Sequence, residues 1–311
     1  MQPEDSPVQD YVYQLAGRGR TFFAARNSGL YRSDDGGQNW QTAYQSLELS
    51  EPLPTLTVAL PPDFEHDPRL FAGLSGGIFR SLNGGQAWES IPLPPPPPVI
   101  SALQLSPNFE QDGIVFGATL EDGVLFSSDR GFHFGAWNFG LLDLNILCLA
   151  ISPSFARDET VFVGAQSGIF RSTNGGRAWR EVDLPVGYEA VLSLALSPDF
   201  AHDGILLAGT ETQGLLLSAD AGEIWQCVGA DVFTEAVNAI CLAPDFSSRP
   251  EILALHAGTL FHSSDRGETW SPWRENVLAD EDVASILAPQ GFDAGALVLV
   301  GLANGTVLRL D

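Results

Sequence analysis

Carboxylate side chains recur at a fixed place within a repeated phrase of this chain, Ser-x-Asp-x-Gly-x-x-Trp. Carboxylates at regular spacing can ligate calcium or act as the acid and base pair of glycoside hydrolysis. The fullest copies are Ser33/Asp35/Gly37/Trp40, Ser218/Asp220/Gly222/Trp225 and Ser263/Asp265/Gly267/Trp270. For either chemistry, every copy of the phrase that takes part must carry the carboxylate itself.

Two other copies of the phrase lack that carboxylate. Asparagine replaces it at Asn83 and Asn174, and the copy with Asp129 has Phe134 in place of tryptophan. Asparagine bonds the backbone of its own turn as aspartate does, but it cannot serve as an acid or base. We therefore predict a structural role, with no catalytic residue, for the whole set: Ser33, Asp35, Gly37, Trp40, Asn83, Trp88, Asp129, Phe134, Asn174, Trp179, Asp220, Trp225, Asp265 and Trp270.

Metal and cofactor chemistry find little support in the sequence. The repeated acids lack the dense ligand spacing of a dedicated calcium loop. The three cysteines, Cys148, Cys227 and Cys241, form no disulfide or zinc pattern. Cys148 and Cys241 lie in apolar runs, so we expect them to be small buried side chains. We expect no metal and no cofactor.

The elements that carry the phrase are themselves repeated, at intervals of about 45 residues, a period typical of repeat folds. Each unit contains four short apolar runs bounded by Gly, Pro, Asn and Asp, which predict strands. In one unit these runs span 191–196, 205–210, 215–218 and 224–228. Four antiparallel strands per period are typical of a propeller blade. No stretch shows a helical period.

We therefore predict an all-β fold, a seven-bladed β-propeller of four-stranded antiparallel blades in a single domain, 1–311. The predicted blades are 8–50, 51–94, 95–141, 142–186, 187–232, 233–279 and 280–311. The last blade has only three apolar runs, and an open ring would expose unpaired strand edges. We expect the residues before Tyr11, about 1–7, to supply the missing outer strand and close the ring.

The repeated phrase resembles the Asp-box (BNR) repeat family of β-propellers, and the likeness covers nearly the whole chain. A second phrase, Pro-x-Phe-x-x-Asp, recurs between the first and second strands, as in Pro198/Phe200/Asp203. We interpret it as turn chemistry with an inward phenylalanine and a capping aspartate. Similar phrases occur in photosystem-assembly-like and sortilin-like relatives of this repeat, and Asp-boxes occur in sialidases.

The binding residues are expected on the face formed by the loops that differ between blades, because variable loops on a rigid scaffold tend to carry function. These are the loops between second and third strands, together with the connections between blades. The candidate residues are Arg26, Asn27, Glu121, Asp122, Glu211, His256, Asp280, Glu281 and Asp282.

The charge balance limits the partners that we expect. The chain has 39 acidic and 15 basic residues, all of the latter arginine, and a net charge of −24. Such a field disfavours nucleic acids and anionic membranes and favours a cationic partner. The N-terminus is polar and no apolar run reaches 18 residues. We expect a soluble cytoplasmic monomer, although a secreted protein whose leader had been removed would look the same.

Two functions are compatible with these patterns. The first is a non-catalytic scaffold that presents its variable loops to a protein or peptide partner. The alternative is a glycoside hydrolase of sialidase-like or xyloglucanase-like type. The resemblance to sialidases implies an Arg-Ile-Pro segment near the start, but Arg26 is followed by Asn-Ser. It also implies a Tyr–Glu nucleophile pair. Tyr188 and Glu189 are neighbours in the sequence, which does not make them such a pair. Xyloglucanase-like enzymes combine two propellers, and photosystem-assembly-like propellers use a basic patch, which this chain lacks.

Overall fold

The computed structural model describes residues 10–311, which form seven small antiparallel sheets arranged in a ring. Six sheets have four strands each in chain order, and the last has three within the described residues. The predicted seven-bladed β-propeller is therefore confirmed. The predicted closure by the segment before Tyr11 concerns residues 1–9, which lie outside the described part of the chain.

The strands are numbered in chain order. Blades 1 to 4 comprise β1 Val12–Arg18, β2 Thr21–Arg26, β3 Gly29–Ser33, β4 Gln41–Thr42; β5 Thr55–Ala59, β6 Leu70–Leu74, β7 Gly77–Ser81, β8 Glu89–Ile91; β9 Val99–Leu105, β10 Val115–Leu120, β11 Gly123–Ser127, β12 Gly135–Ala136; β13 Ile146–Ile151, β14 Val161–Ala165, β15 Ile169–Ser172 and β16 Arg180–Glu181. Blades 5 to 7 comprise β17 Val191–Leu196, β18 Leu206–Thr210, β19 Leu215–Ser218, β20 Gln226–Val228; β21 Val237–Leu242, β22 Ile252–His256, β23 Thr259–Ser263, β24 Ser271–Pro272; β25 Val283–Leu287, β26 Val298–Leu302 and β27 Val307–Leu310.

The core lies between the blades, where neighbouring sheets pack face to face. The second strand of a blade is buried on both of its faces; every residue of β18, for example, is buried. The first strands contact one another around the ring and line its central channel. Burial on two faces explains why the second strands read as continuous apolar runs rather than as alternating ones.

The turn between first and second strands contains a one-turn helix in three blades, where the sequence predicted a turn without a helix. These helices are α1 Phe109–Asp112, α2 Phe155–Asp158 and α3 Phe200–Asp203; α4 Glu275–Leu278 lies in a connection between blades, and a 3₁₀ turn covers Gln45–Leu47. A single turn is too short to produce a helical period in the sequence. Within residues 10–311, no helix is long and apolar enough to span a membrane.

The repeated aspartate of that turn is used by the turn itself. In the copy before β10, the Ser106 hydroxyl donates to Asp112 Oδ2 at 2.6 Å, and the Ile114 N–H donates to Oδ1 at 2.9 Å. The Phe109 side chain is fully buried and packs edge-on against Phe71 of the preceding blade, with ring centroids 6.4 Å apart. The phrase therefore fixes the turn and fills the space between two blades.

Strand direction gives the ring two distinct faces. The Asp-box turns and the turns between first and second strands lie together on one face; for example, the Ala221 N–H donates to the Gly204 carbonyl at 2.9 Å. The loops between second and third strands and the connections between blades lie on the opposite face, where the Glu211 N–H donates to the Ala190 carbonyl at 3.0 Å. We call these the box face and the loop face.

Candidate functional site

The Asp-box turns are built by short-range hydrogen bonds. In the first copy, the Ser33 hydroxyl donates to Asp35 Oδ1 at 2.8 Å and accepts the Gly37 N–H at 2.9 Å. Asp35 Oδ1 also accepts the N–H groups of Gln38 and Asn39, at 3.0 and 2.9 Å. The carboxylate thus serves as the acceptor that holds the turn closed.

Asparagine performs the same work in the second copy. The Ser81 hydroxyl donates to Asn83 Oδ1 at 2.9 Å, and that oxygen also accepts the Ala87 N–H at 2.8 Å. One carbonyl oxygen is therefore enough for the network. Such a position has no need of a titrating group, which is consistent with a structural role.

The glycine and the aromatic residue of the box pack against the preceding blade, as the fifth copy shows. Gly222 has φ +86°, and a Cβ atom there would lie 2.7 Å from Cε1 of Phe162 in the preceding blade. Trp225 is 5% exposed, and its Nε1 donates to the Gly222 carbonyl at 3.2 Å. In blade 2, Trp88 Nε1 also reaches the Ala43 carbonyl of blade 1, at 2.9 Å. The box therefore seals the joint between two sheets.

Hydrogen bonding to the box carboxylates stabilises their charged form. The Thr269 hydroxyl and N–H, together with the Ser263 hydroxyl, lower the pKa of Asp265 to about 2. Burial acts to raise the pKa of Asp129, but bonds from His133 and Ser127 outweigh it and lower that pKa to about 2 as well. A general acid at neutral pH needs a raised pKa, so the lowered pKa of these carboxyls does not suit them to act as general acids.

The central channel encloses a cavity of about 260 Å³ lined by the first strands. Its wall is made of aliphatic side chains with a few uncharged polar ones, such as Gln14, Ser193 and Asn238. No aspartate or glutamate is among the described residues that line it. Cys148, also in this wall, donates to the Val191 carbonyl at 3.4 Å, and burial raises the pKa of its thiol to about 12.

Arg26 and Asn27 lie on the loop face at the end of β2, beside Tyr13, which lines the channel. The Tyr13 hydroxyl donates to Asn27 Oδ1 at 2.6 Å. The Arg26 guanidinium lies 4.2 Å from the Tyr31 ring centroid, and burial lowers its pKa. Arg26 is thus half-buried and stacked, with only part of its surface available to a partner.

Aspartates converge where the last blade meets the first. Asp282 lies near Tyr11, whose pKa is raised first by burial and then by the Asp282 charge. Asp10 accepts the N–H and hydroxyl of Ser28, each at 2.9 Å. Of the predicted acidic residues here, Asp280 and Asp282 are exposed and Glu281 is half-buried.

The remaining predicted residues fall into two groups. Glu121, Asp122 and Glu211 are exposed at the tips of the loops that follow β10 and β18. His256 is buried, 8% exposed, with its ring centroid 5.5 Å from that of Phe233 and 6.0 Å from that of Phe261. The sequence predicted that His256 is available for binding because it lies in a loop between strands. It did not reveal that Phe233, in the connection that follows blade 5, covers this histidine. The structure therefore separates His256 from the exposed candidates.

The charges of residues 10–311 are divided unevenly between the two faces. Of the 15 arginines, only Arg26 and Arg274 lie on the loop face; the others lie in box-face turns or at the strand ends beside them. The loop face carries many acids, which include Asp10, Glu48, Glu51, Glu121, Asp122, Asp143, Asp183, Glu189, Glu211, Asp231, Glu235, Glu275, Asp280, Glu281 and Asp282. On the box face, several carboxylates are paired with arginine, as Asp67 is with Arg69.

Sequence reasoning did not single out the exposed apolar side chains of the blade connections. Leu142 is 77% exposed and Tyr188 is 82% exposed, both in segments that join blade 4 to its neighbours. The sequence signal that could have identified them is a large apolar side chain within an otherwise polar connection. Within residues 10–311, no group of three or more His, Cys, Asp or Glu side chains is placed to hold a metal ion.

The known proteins to which this chain is similar are consistent with its β-propeller fold. The BNR/Asp-box repeat model matches residues 31–42, the box of the first blade. A structure of YCF48 bound to D1 peptide is similar with a TM-score of 0.73 at 18% identity, covering 98% of this chain and 94% of that one. YCF48 from Cyanidioschyzon merolae gives a TM-score of 0.69 at 13% identity, covering 98% and 96%.

A third similar structure is an enzyme. The GH74 xyloglucanase from Xanthomonas campestris gives a TM-score of 0.72 at 16% identity, covering 96% of this chain and 52% of that one. This chain therefore spans about half of that enzyme. No match was found among curated protein sequences. The TM-scores show a common fold, and at identities this low the likeness extends to the fold alone.

Proposed function

We propose that this seven-bladed Asp-box β-propeller is a non-catalytic scaffold whose loop face binds a cationic segment of a protein or peptide. The observation that carries the proposal is the division of charge, which leaves the loop face rich in carboxylates with only Arg26 and Arg274 to oppose them. A surface of one sign attracts partners of the opposite sign and speeds their association.

The rest of the molecule supports binding at that face. The box acids Asp35 and Asp265 are occupied in closing their own turns. The loops at the opposite face are held on rigid sheets, the usual setting of binding residues. The similarity in fold to YCF48, which was solved with a bound peptide, supports a peptide as the class of partner.

Glycoside hydrolysis is the competing function because GH74 xyloglucanases share this fold. Hydrolysis requires two carboxyl groups about 5–10 Å apart on either side of the scissile bond. The described channel lining has no carboxylate, so such a pair would have to stand at the loop-face mouth, among residues such as Asp280 and Asp282. Assaying xyloglucan and sialosides with the wild-type protein tests this alternative directly.

The binding proposal predicts a salt-sensitive interaction with arginine-rich peptides. Affinity, measured by fluorescence anisotropy, should fall as salt rises through 0.15 M, where the Debye length is about 8 Å. Replacing Asp280, Glu281 and Asp282 with lysine should weaken binding mainly by slowing association. A matched triple replacement of Glu65, Glu110 and Glu268, exposed acids of the box face, should have little effect.

Two results would contradict the proposal. One is a peptide footprint confined to the box face, mapped by cross-linking or by hydrogen exchange. The other is turnover of a glycan that is lost when a single loop-face carboxylate is replaced.

A further inference from the structure

Tyr188 is the most exposed large apolar side chain of the loop face. Its exposure is 82%, and it follows β16 in the segment that connects blade 4 to blade 5. It borders a depression of about 270 Å³ at the outer rim of that face. A cavity of roughly 150 Å³ holds a benzene molecule, so there is room here for one aromatic side chain.

The lining of this depression combines apolar surface with acids. Leu184 and Tyr188 supply the apolar part, and Gly168 leaves that side open because it has no side chain. Glu181 and Asp183, both exposed, supply carboxylates. Neither carboxylate is used in a salt bridge within residues 10–311, and no arginine lines the depression.

The loop between β14 and β15 fixes the depression in place. The Ser167 N–H donates to Asp143 Oδ2 at 2.8 Å, and its carbonyl accepts the Glu189 N–H at 3.4 Å. Glu189 in turn accepts the Thr212 N–H at 2.6 Å. These bonds tie together two blade connections and two strand loops, so the wall around Tyr188 is preorganised.

We propose that this depression is an anchor site for one large apolar side chain of the partner, flanked in the partner by arginine or lysine. The occupant follows from charge complementarity: a lone apolar anchor would meet Glu181 and Asp183 at the rim, and a basic neighbour satisfies them. This inference rests on the proposed function and specifies where on the loop face, and by which side chain, the cationic segment is held.

The test uses two labelled peptides of about ten residues, both made of arginine and serine, that differ at one central position. One carries tryptophan there and the other serine. Wild-type protein should bind the tryptophan peptide at least about tenfold more tightly in fluorescence anisotropy, as expected when an aromatic side chain fills a pocket. Tyr188→Ser should reduce that ratio to near one and leave the affinity for the serine peptide unchanged.

Two further variants separate the anchor from the charges. Glu181→Gln combined with Asp183→Asn should weaken the binding of both peptides. Ile224→Ser, at a side chain 72% exposed on the box face, is the matched control and should leave both affinities unchanged. Because Tyr188 is exposed, its replacement should preserve folding, and thermal melting of each variant verifies this.

The outcomes distinguish this inference from the proposed function. If both peptides bind but the preference for tryptophan is absent, or survives Tyr188→Ser, the anchor site is overturned and the cationic binding face stands. If neither peptide binds, both are overturned.

Discussion

The acidic side chain of each Asp-box acts as a hydrogen-bond acceptor, and this explains which replacements the chain itself contains. Asp220 Oδ1 accepts the Ser218 hydroxyl at 2.8 Å and the Ile224 N–H at 2.9 Å. Asn83 makes the equivalent bonds in its own turn. At the residue scale, the box is therefore defined by geometry rather than by charge.

A pair of substitutions in one box tests that view. Trp225→Ala should lower the free energy of unfolding by about 3–5 kcal/mol, because it empties a large buried aromatic site between two blades. Asp220→Asn should cost much less, because Asn keeps the acceptor oxygen. Chemical denaturation measures both. If Asp220→Asn lowered the free energy of unfolding as much as Trp225→Ala, the acceptor role would be refuted.

The lowered pKa values of the box acids predict a stability that depends on pH. The pKa of Asp265 is about 2 in the folded protein and about 3.9 for an ordinary aspartate. The unfolded state therefore binds the proton first, so this stabilisation is complete above about pH 4 and disappears as pH falls towards 2. Melting temperature measured across this range should drop less steeply in Asp265→Asn than in wild type. A parallel fall in the two proteins would argue against this linkage.

The third strands carry a contact that joins whole blades. Three of them place an arginine just before the box serine, at Arg32, Arg80 and Arg171, and Arg309 holds the same position before Leu310 in the last copy. Arg80 is 6% exposed; its Nη1 donates to the Gly131 carbonyl of the next blade at 3.3 Å, and its Nη2 donates to Glu89 at 2.6 Å. Arg171 reaches Glu223 in the same direction. At the element scale, Arg80, Arg171 and Arg309 each tie a third strand to the box of the following blade.

Removing one such arginine should loosen one joint. Arg80→Gln should lower the free energy of unfolding by about 1–3 kcal/mol, because the buried Gly131 carbonyl loses a charged donor. Arg157→Gln is the control, since Arg157 is exposed and, among residues 10–311, its side chain bonds only to Ser154 of its own turn. Equal effects of the two changes in chemical denaturation would show that the contact between blades contributes nothing specific.

Ring closure is the property of the molecule as a whole. The last blade packs on the first through Leu299, which lies with Val12 and Phe22 in one core cluster. Arg309 Nη1 donates to the Gly36 carbonyl of the first box at 3.2 Å. Closure is what makes the loop face continuous, so that Asp282 and Asp10, from opposite ends of the described chain, belong to one surface.

The sequence prediction that residues before Tyr11 complete the last blade can be tested by truncation. Deleting residues 1–9 should lower the melting temperature strongly, because an unpaired outer edge on the third strand β27 would be left exposed. Replacing only charged residues of that segment, Glu4 and Asp5, with serine should have a small effect. An unchanged melting temperature after the deletion would exclude this mode of closure.

The sequence by itself determined the number of blades and the structure of each box. Those features depend on local chemistry: Ser33, Asp35 and Gly37 lie within five positions of one another, so their hydrogen bonds form wherever the phrase occurs. The recurrence of short apolar runs around the phrase then fixed the strand order.

Only the tertiary structure decided which loop residues are available to a partner. His256 and Glu211 occupy comparable loops in the sequence, yet His256 is buried against Phe233 and Glu211 is exposed. The depression beside Tyr188 also depends on two blade connections and two strand loops that hydrogen-bond to one another. Exposure and shape on this face result from how neighbouring blades cover one another, and no local pattern carries that information.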